Sequence, residues 1–143
     1  MAYGPNTVRA TSSIPTGKTQ WECVPQSLSG SNMYCGIASA NANLEIGLGY
    51  DSFGWGYRCD GVIQNNGQRT SYGPAYGVAD VVGMLFDEGA GTLEFVLNGT
   101  RLGVAFSGLS GVLFPAGSVQ GAGSSLLLRT IGLAFPIAGY NEM

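Results

Sequence analysis

The chain alternates between short apolar runs and tight polar punctuation, and its apolar spacing almost nowhere follows a helix. Residues 7–14, 18–28, 32–39, 53–59, 80–87, 92–97, 100–105, 112–119 and 124–129 each read as a strand, with a shorter piece at Val62 and Ile63. Between them stand residues that fix φ or accept positive φ: Pro15-Thr16-Gly17, Ser29-Gly30-Ser31, Asp60-Gly61, Asn65-Asn66-Gly67, Glu88-Gly89-Ala90-Gly91 and Asn98-Gly99. Asn98-Gly99 predicts a hairpin, since both residues tolerate φ > 0. The turn at residues 29–31 predicts another, joining 18–28 to 32–39. Residues 80–87 (DVVGMLFD) are nearly continuously apolar and too short for a helix, which suits a strand buried in a core. Residues 36–48 come nearest to a helical pattern, but glycines near both ends make them a loop. Strands recurring roughly every 8–12 residues without helices predict an all-β sandwich or barrel.

Composition sharpens that picture. At 143 residues the chain is one domain with material for one core, and no linker, charge run or long repeat divides it. Its 24 glycines suit many tight turns, and 45% hydrophobic residues exclude a disordered chain. Only 10% of residues are charged, against roughly a quarter in ordinary domains. A surface that poor in charge points to a subunit of a larger assembly or an oligomer. The net charge is −3 and the six Lys and Arg residues are scattered, so nucleic acid is not an expected partner. Met1-Ala2-Tyr3-Gly4-Pro5 has no secretory pattern. No apolar run reaches about 18 residues, so membrane insertion is not expected either.

Catalytic chemistry is sparse. The chain has no histidine, which removes the usual general base and the commonest metal ligand. Its carboxylates include no cluster on one strand that would serve glycoside hydrolysis. No loop carries the regular Asp/Asn spacing of a calcium site. Cys23, Cys35 and Cys59 lie 12 and 24 residues apart, unlike the close pairs of zinc sites, and read as buried thiols; a Cys23–Cys35 bridge is an alternative. The expectation is a chain with no catalytic residues, no metal and no cofactor. Asn98-Gly99-Thr100 matches a glycosylation sequon but is better explained as the hairpin turn.

A series of motifs then carries a resemblance. It runs through Gly17-Lys18 and Trp21-Glu22, then Tyr34, Gly36, Ile37 and Ala38, then Gly54-Trp55-Gly56-Tyr57. Tyr72-Gly73-Pro74, Asp80-Val81-Val82-Gly83 and Asp87 follow, and Leu93, Phe95, Asn98-Gly99, Gly103-Val104-Ala105-Phe106 and Leu113-Phe114-Pro115-Ala116 complete it. In that order these motifs resemble the SPRY domain over about residues 8–119. The resemblance implies a two-sheet antiparallel β-sandwich of the concanavalin-like, jelly-roll type, with partners docking on loops at one end. The loops that answer to this carry Asn41, Asn43 and Glu45; Gln64, Asn66, Gln68 and Arg69; residues 107–110; and residues 120–124. Tyr50, Tyr72 and Tyr76 stand beside them, and such polar and aromatic surfaces suit a protein or a glycan.

Residues 8–18, 109–118 and 135–140 further resemble SPRY modules of bacteriophage virion proteins. That likeness implies a virion component, a capsid decoration or a tail-associated binding protein. Its partners would be other virion proteins and a host-surface protein or glycan. The alternative is a cytosolic adaptor that recognises a short peptide. SPRY domains usually carry one or two strands ahead of the segment at Val8-Arg9-Ala10-Thr11, and only seven residues precede it here. The chain therefore divides into a sandwich at 1–130 and an apolar tail at 131–143, expected to fold back over the gap or dock on a neighbouring subunit.

Overall fold

The computed structural model describes residues 6–28, 32–120 and 123–143. In chain order its strands are β1 (Asn6–Arg9), β2 (Lys18–Ser27), β3 (Met33–Ser39), β4 (Gly54–Arg58), β5 (Val62–Asn65) and β6 (Gln68–Ser71). They continue with β7 (Val82–Asp87), β8 (Thr92–Leu97), β9 (Thr100–Phe106), β10 (Leu113–Val119), β11 (Ser125–Arg129) and β12 (Asn141–Glu142). One sheet has the order β1-β10-β3-β4-β5-β6 and the other β11-β2-β7-β8-β9. Both are antiparallel, apart from the two-residue β12, which pairs parallel to β2. The all-β sandwich expected from the strand spacing is the fold observed.

Alternation explains the layering. Trp21 and Cys23 of β2, Met84 and Phe86 of β7, and Leu93 and Phe95 of β8 face inward from the second sheet. Met33, Cys35 and Ile37 of β3 and Tyr57 of β4 meet them from the first. Each fully buried large side chain contributes roughly 1.5–3 kcal/mol of transfer free energy. Asn98 (φ 49°) and Gly99 (φ 88°) make the predicted β8–β9 hairpin.

Two predictions need correction. Residues 18–28 and 32–39 do not form a hairpin: β2 pairs with β7 and β11, whereas β3 pairs with β10 and β4. Both strands are buried along most of their length, so each needs neighbours on its own sheet, and the chain crosses between layers. The turn at residues 29–31 lies outside the described residues. The second miss is β6, whose Gln68-Arg69-Thr70-Ser71 is wholly exposed and offers no apolar alternation to read. Asn66 (φ 52°) and Gly67 (φ 72°) turn it back on β5.

Residues 131–143 lie across the outward side of β2. The Glu22 carboxylate, 2% exposed, accepts from the amides of Ala134 (2.9 Å) and Phe135 (2.8 Å). Arg129 Nη1 stands 3.4 Å from the same carboxylate. The Gln20 side chain accepts from Ile137 N at 2.8 Å and donates to Tyr140 O at 2.9 Å. Two polar residues on one strand thus fix the course of an otherwise irregular segment.

Candidate binding site

The loop between β3 and β4 folds down onto the outward face of the first sheet. Leu48, 2% exposed, packs there with Tyr34, Ala38 and Ala116 as a second, smaller apolar cluster. Gly54 and Gly56 make room for it: a Cβ on Gly54 would lie 2.9 Å from Leu48 Cδ1, and one on Gly56 would lie 3.2 Å from Tyr34. Asp51 then holds the loop's shape, its carboxylate accepting from Asn43 N and Phe53 N, each at 2.9 Å. Asn66 N donates to Asp51 O at 2.9 Å and Gly67 N to Gly49 O at 2.9 Å, so the β5–β6 turn is sewn to the same loop.

This brings several of the expected contact residues together. Asn43 and Glu45 share a local turn, with Glu45 N donating to Asn43 Oδ1 at 2.9 Å. Arg69 Nε donates to Gln64 Oε1 at 2.6 Å, and Arg69 Nη2 to the Tyr50 hydroxyl at 3.2 Å. The guanidinium also lies 5.7 Å from the centre of the Tyr50 ring, which meets Tyr34 edge-on. Asn41, Asn66 and Gln68 are exposed around this group.

Three expected residues are placed differently. Gln64 is fully buried, and its amide is shared among Tyr34, Arg69 and Leu48 O. Tyr76 is 5% exposed and donates to Tyr57 O at 2.6 Å, inside the main core. Burial pushes its phenol well above the usual range. Tyr72 spans to the other sheet, bonded to Gly103 O at 2.5 Å and accepting from Phe95 N at 3.2 Å. Burial pushes its phenol up to about 12. Gln64 and Tyr76 thus find their partners inside, whereas Tyr72 is half-buried with its hydroxyl bonded near the surface.

An open cleft of about 490 Å³ lies at the end of the sandwich, where residues 39–41 and 52–55 face residues 108–113. Trp55 and Leu109 line it, with Phe53 (42% exposed) and Val112 (64% exposed) at its rim and Asn41 and Ser110 among its polar groups. None of its lining residues is charged. Both walls are anchored. Arg9 Nη1 donates to Ser39 O (2.9 Å) and Ala40 O (3.1 Å), while Leu109, 7% exposed, bonds through its amide to Gly91 O at 3.0 Å. Gly108 (φ 69°) and Gly111 (φ 86°) supply the positive φ that the second wall requires. Sequence reasoning named residues 107–110 and Asn41 but missed Phe53 and Val112. Both sit next to turns, and nothing in a lone aromatic or valine there says whether it faces in or out.

Among the described residues no group of three His, Cys, Asp or Glu side chains is arranged to hold a metal ion. Cys23, Cys35 and Cys59 are buried thiols, and Cys23 and Cys35 form no bridge. The cleft itself offers apolar contact and hydrogen bonding.

Comparison with known proteins agrees. A model of the SPRY domain matches residues 18–130. The chain belongs to the SPRY family. It is 29% identical over 132 residues to SPRY domain-containing SOCS box protein 3 of Xenopus laevis, covering 86% of this chain and 37% of that protein. It is 42% identical over 71 residues to the ATP-dependent RNA helicase Ddx1 of Drosophila melanogaster, which covers 50% of this chain and 10% of the helicase. The dual specificity protein kinase splA of Dictyostelium discoideum is 27% identical over 126 residues, covering 87% of this chain and 5% of the kinase. The chain therefore spans well under half the length of these relatives. The SPRY domain of human HERC1 has the same fold, with a TM-score of 0.78 at 18% identity, covering 91% of this chain and 85% of that one. SPRY domains are generally non-catalytic, protein-binding modules, and the fold fits that role. The relatives named here are eukaryotic, and they lend no support to the expected likeness to bacteriophage virion modules.

Proposed function

We propose that this SPRY domain is an adaptor-type recognition module that grips a short linear segment of a partner protein in the cleft at the end of the sandwich. The observation that carries the reading is an uncharged cleft with Phe53 and Val112 exposed between two anchored walls. Anchored walls lose little freedom on binding, which favours affinity. Buried aromatic and aliphatic anchors inside a polar rim are the usual centres of binding energy. The bound segment would present apolar side chains and unpaired backbone groups, since a charge would find no partner there. The Tyr50–Arg69 face beside the cleft extends the surface available to a longer segment. The likeness to the Xenopus SOCS box protein supports an adaptor setting, and the absence of histidine supports a non-catalytic one.

The test is titration of the chain with linear peptides selected from a display library. Phe53→Ala and Val112→Asp should each weaken binding about tenfold or more with unchanged melting curves. Loss of binding in Arg69→Ala and Tyr50→Ala, with Phe53→Ala unaffected, would move the site to the neighbouring face and overturn the cleft reading. A virion setting rests on the resemblance of residues 8–18, 109–118 and 135–140 and on the 10% charge content. Co-purification with viral particles at fixed stoichiometry would establish it in place of the adaptor setting.

A further inference from the structure

Among the described residues the sandwich has four sheet edges, and three are guarded. On β9 the register is broken opposite Glu94, whose carboxylate holds Gly103 N at 3.2 Å and Arg101 Nη2 at 2.8 Å around a bulge. Bulges of this kind spoil an edge as a template for another strand. The β6 edge carries only the exposed polar residues Gln68, Arg69, Thr70 and Ser71. Along β1, the Thr7 amide is already taken by Leu44 O at 2.9 Å and its hydroxyl by Ile46 O at 2.7 Å.

Among the described residues, the β11 edge has none of these protections. Its sequence is Ser-Leu-Leu-Leu-Arg, and Leu127 and Leu128 remain 42% and 38% exposed. The ladder shows which backbone groups are open. Pro25 sends its carbonyl to Ala79 N, away from β11, so its opposite number Leu126 also turns its amide and carbonyl away from β2. Alternation gives Leu128, opposite Cys23, the same outward orientation. Beside this edge a groove of about 170 Å³ runs toward β1, lined by Val8, Pro115, Val119, Leu126 and Leu128 with buried Cys23 behind them. No charged residue lines it.

We propose that β11 is a docking edge for an extended, uncharged segment of a partner protein, added as a further strand of the second sheet with an aliphatic side chain seated in the groove. This site is separate from the cleft at the end of the sandwich. The outward amides and carbonyls of Leu126 and Leu128 call for an extended backbone, as in other cases of strand addition. The lining calls for an apolar side chain, because a charge buried there would find no partner. Area decides between a peptide and a second copy of the chain. A five-residue edge is about 17 Å long. A strip of that length falls far short of the roughly 800 Å² per partner that stable folded interfaces bury. It matches one strand.

The experiment is a titration of the isotope-labelled full chain with the synthetic peptide acetyl-Ser-Val-Thr-Val-Ser-amide, followed by amide NMR. The expected result is saturable shifts and slowed hydrogen exchange at the Leu126 and Leu128 amides. The same peptide with N-methylated valines should give none, and one with lysine replacing valine should bind at least tenfold more weakly. Leu128→Lys should abolish the response while keeping the melting curve. If that variant does not fold, the N-methylated peptide on the unchanged chain decides the matter. Absence of saturable change at Leu126 and Leu128 overturns the proposal, as does a response confined to the cleft around Phe53. Protection that rises with protein concentration in the absence of peptide also overturns it, since the occupant would then be a second copy.

Discussion

Tyr57, Tyr72 and Tyr76 gather around Phe95 and one another between the sheets, with ring centres 5.0 Å apart for Tyr57 and Tyr76 and 5.1 Å for Tyr57 and Phe95. Such edge-on and tilted contacts add to burial, but the hydroxyls decide the arrangement, because each buried phenol must find an acceptor. Tyr76→Phe leaves the ring in place and removes the donor to Tyr57 O, and should cost about 1–3 kcal/mol. A fall in the urea midpoint with an unchanged slope would show it. The same group has a pH signature. Its folded pKa is raised, so the folded state holds a proton that the unfolded chain releases above the ordinary value of 10.0. Stability should therefore fall as pH rises above that value, with Tyr72 losing its proton in turn near about 12. The variant should lose less on the alkaline side than the parent. None of this was legible in Ala75-Tyr76-Gly77-Val78, where small and turn-forming neighbours give an aromatic no periodic pattern to say which way it points. The placement of Gln64 was hidden for a related reason: its partners Tyr34, Leu48 O and Arg69 come together only in the folded chain.

The strands themselves were easier to read where apolar residues alternate or run together, as in β7 and β10, and hardest where partners supply the order. At β9 the bulge depends on Glu94, whose carboxyl is held below its usual 4.5, chiefly by the hydrogen bond from Arg101. A depressed folded pKa means this contribution is complete above that value and disappears as pH falls through the lower, folded one. Because Arg101 is half exposed, the pair contributes only about 0.5–1 kcal/mol. Glu94→Gln should accordingly lower stability at neutral pH by about that amount and match the parent in strong acid, measured by denaturant titration at each pH. The segment at 131–143 is a larger dependence. Deleting it would leave Glu22 and Gln20 on β2 without the amides of Ala134, Phe135 and Ile137. Each hydrogen bond so exchanged for water removes roughly 0.5–1.5 kcal/mol, and more where the acceptor is a carboxylate. The truncated chain should melt lower and aggregate, read by thermal scanning and size-exclusion chromatography; a truncation with the parent's melting curve would contradict this account.

Across the whole molecule, the sandwich and its family were legible because core volumes and turn residues recur at set places along the chain. The sites were less so. Their residues lie at strand ends and on loops, where sequence specifies conformation but not which side faces solvent. The crossing from β2 to β3 shows the limit most clearly, since a short polar turn looks the same whether it closes a hairpin or changes layer. A different consequence follows from the glycine floor beneath Leu48. With Gly54 and Gly56 flat under that one side chain, the β3–β4 loop is fastened at its far end and by Asp51, while exposed Asn41 and Glu45 bear no share of the core. Those positions behave as an interchangeable cartridge on a fixed mount. New recognition could be selected there, by evolution or in a library, without renegotiating the fold.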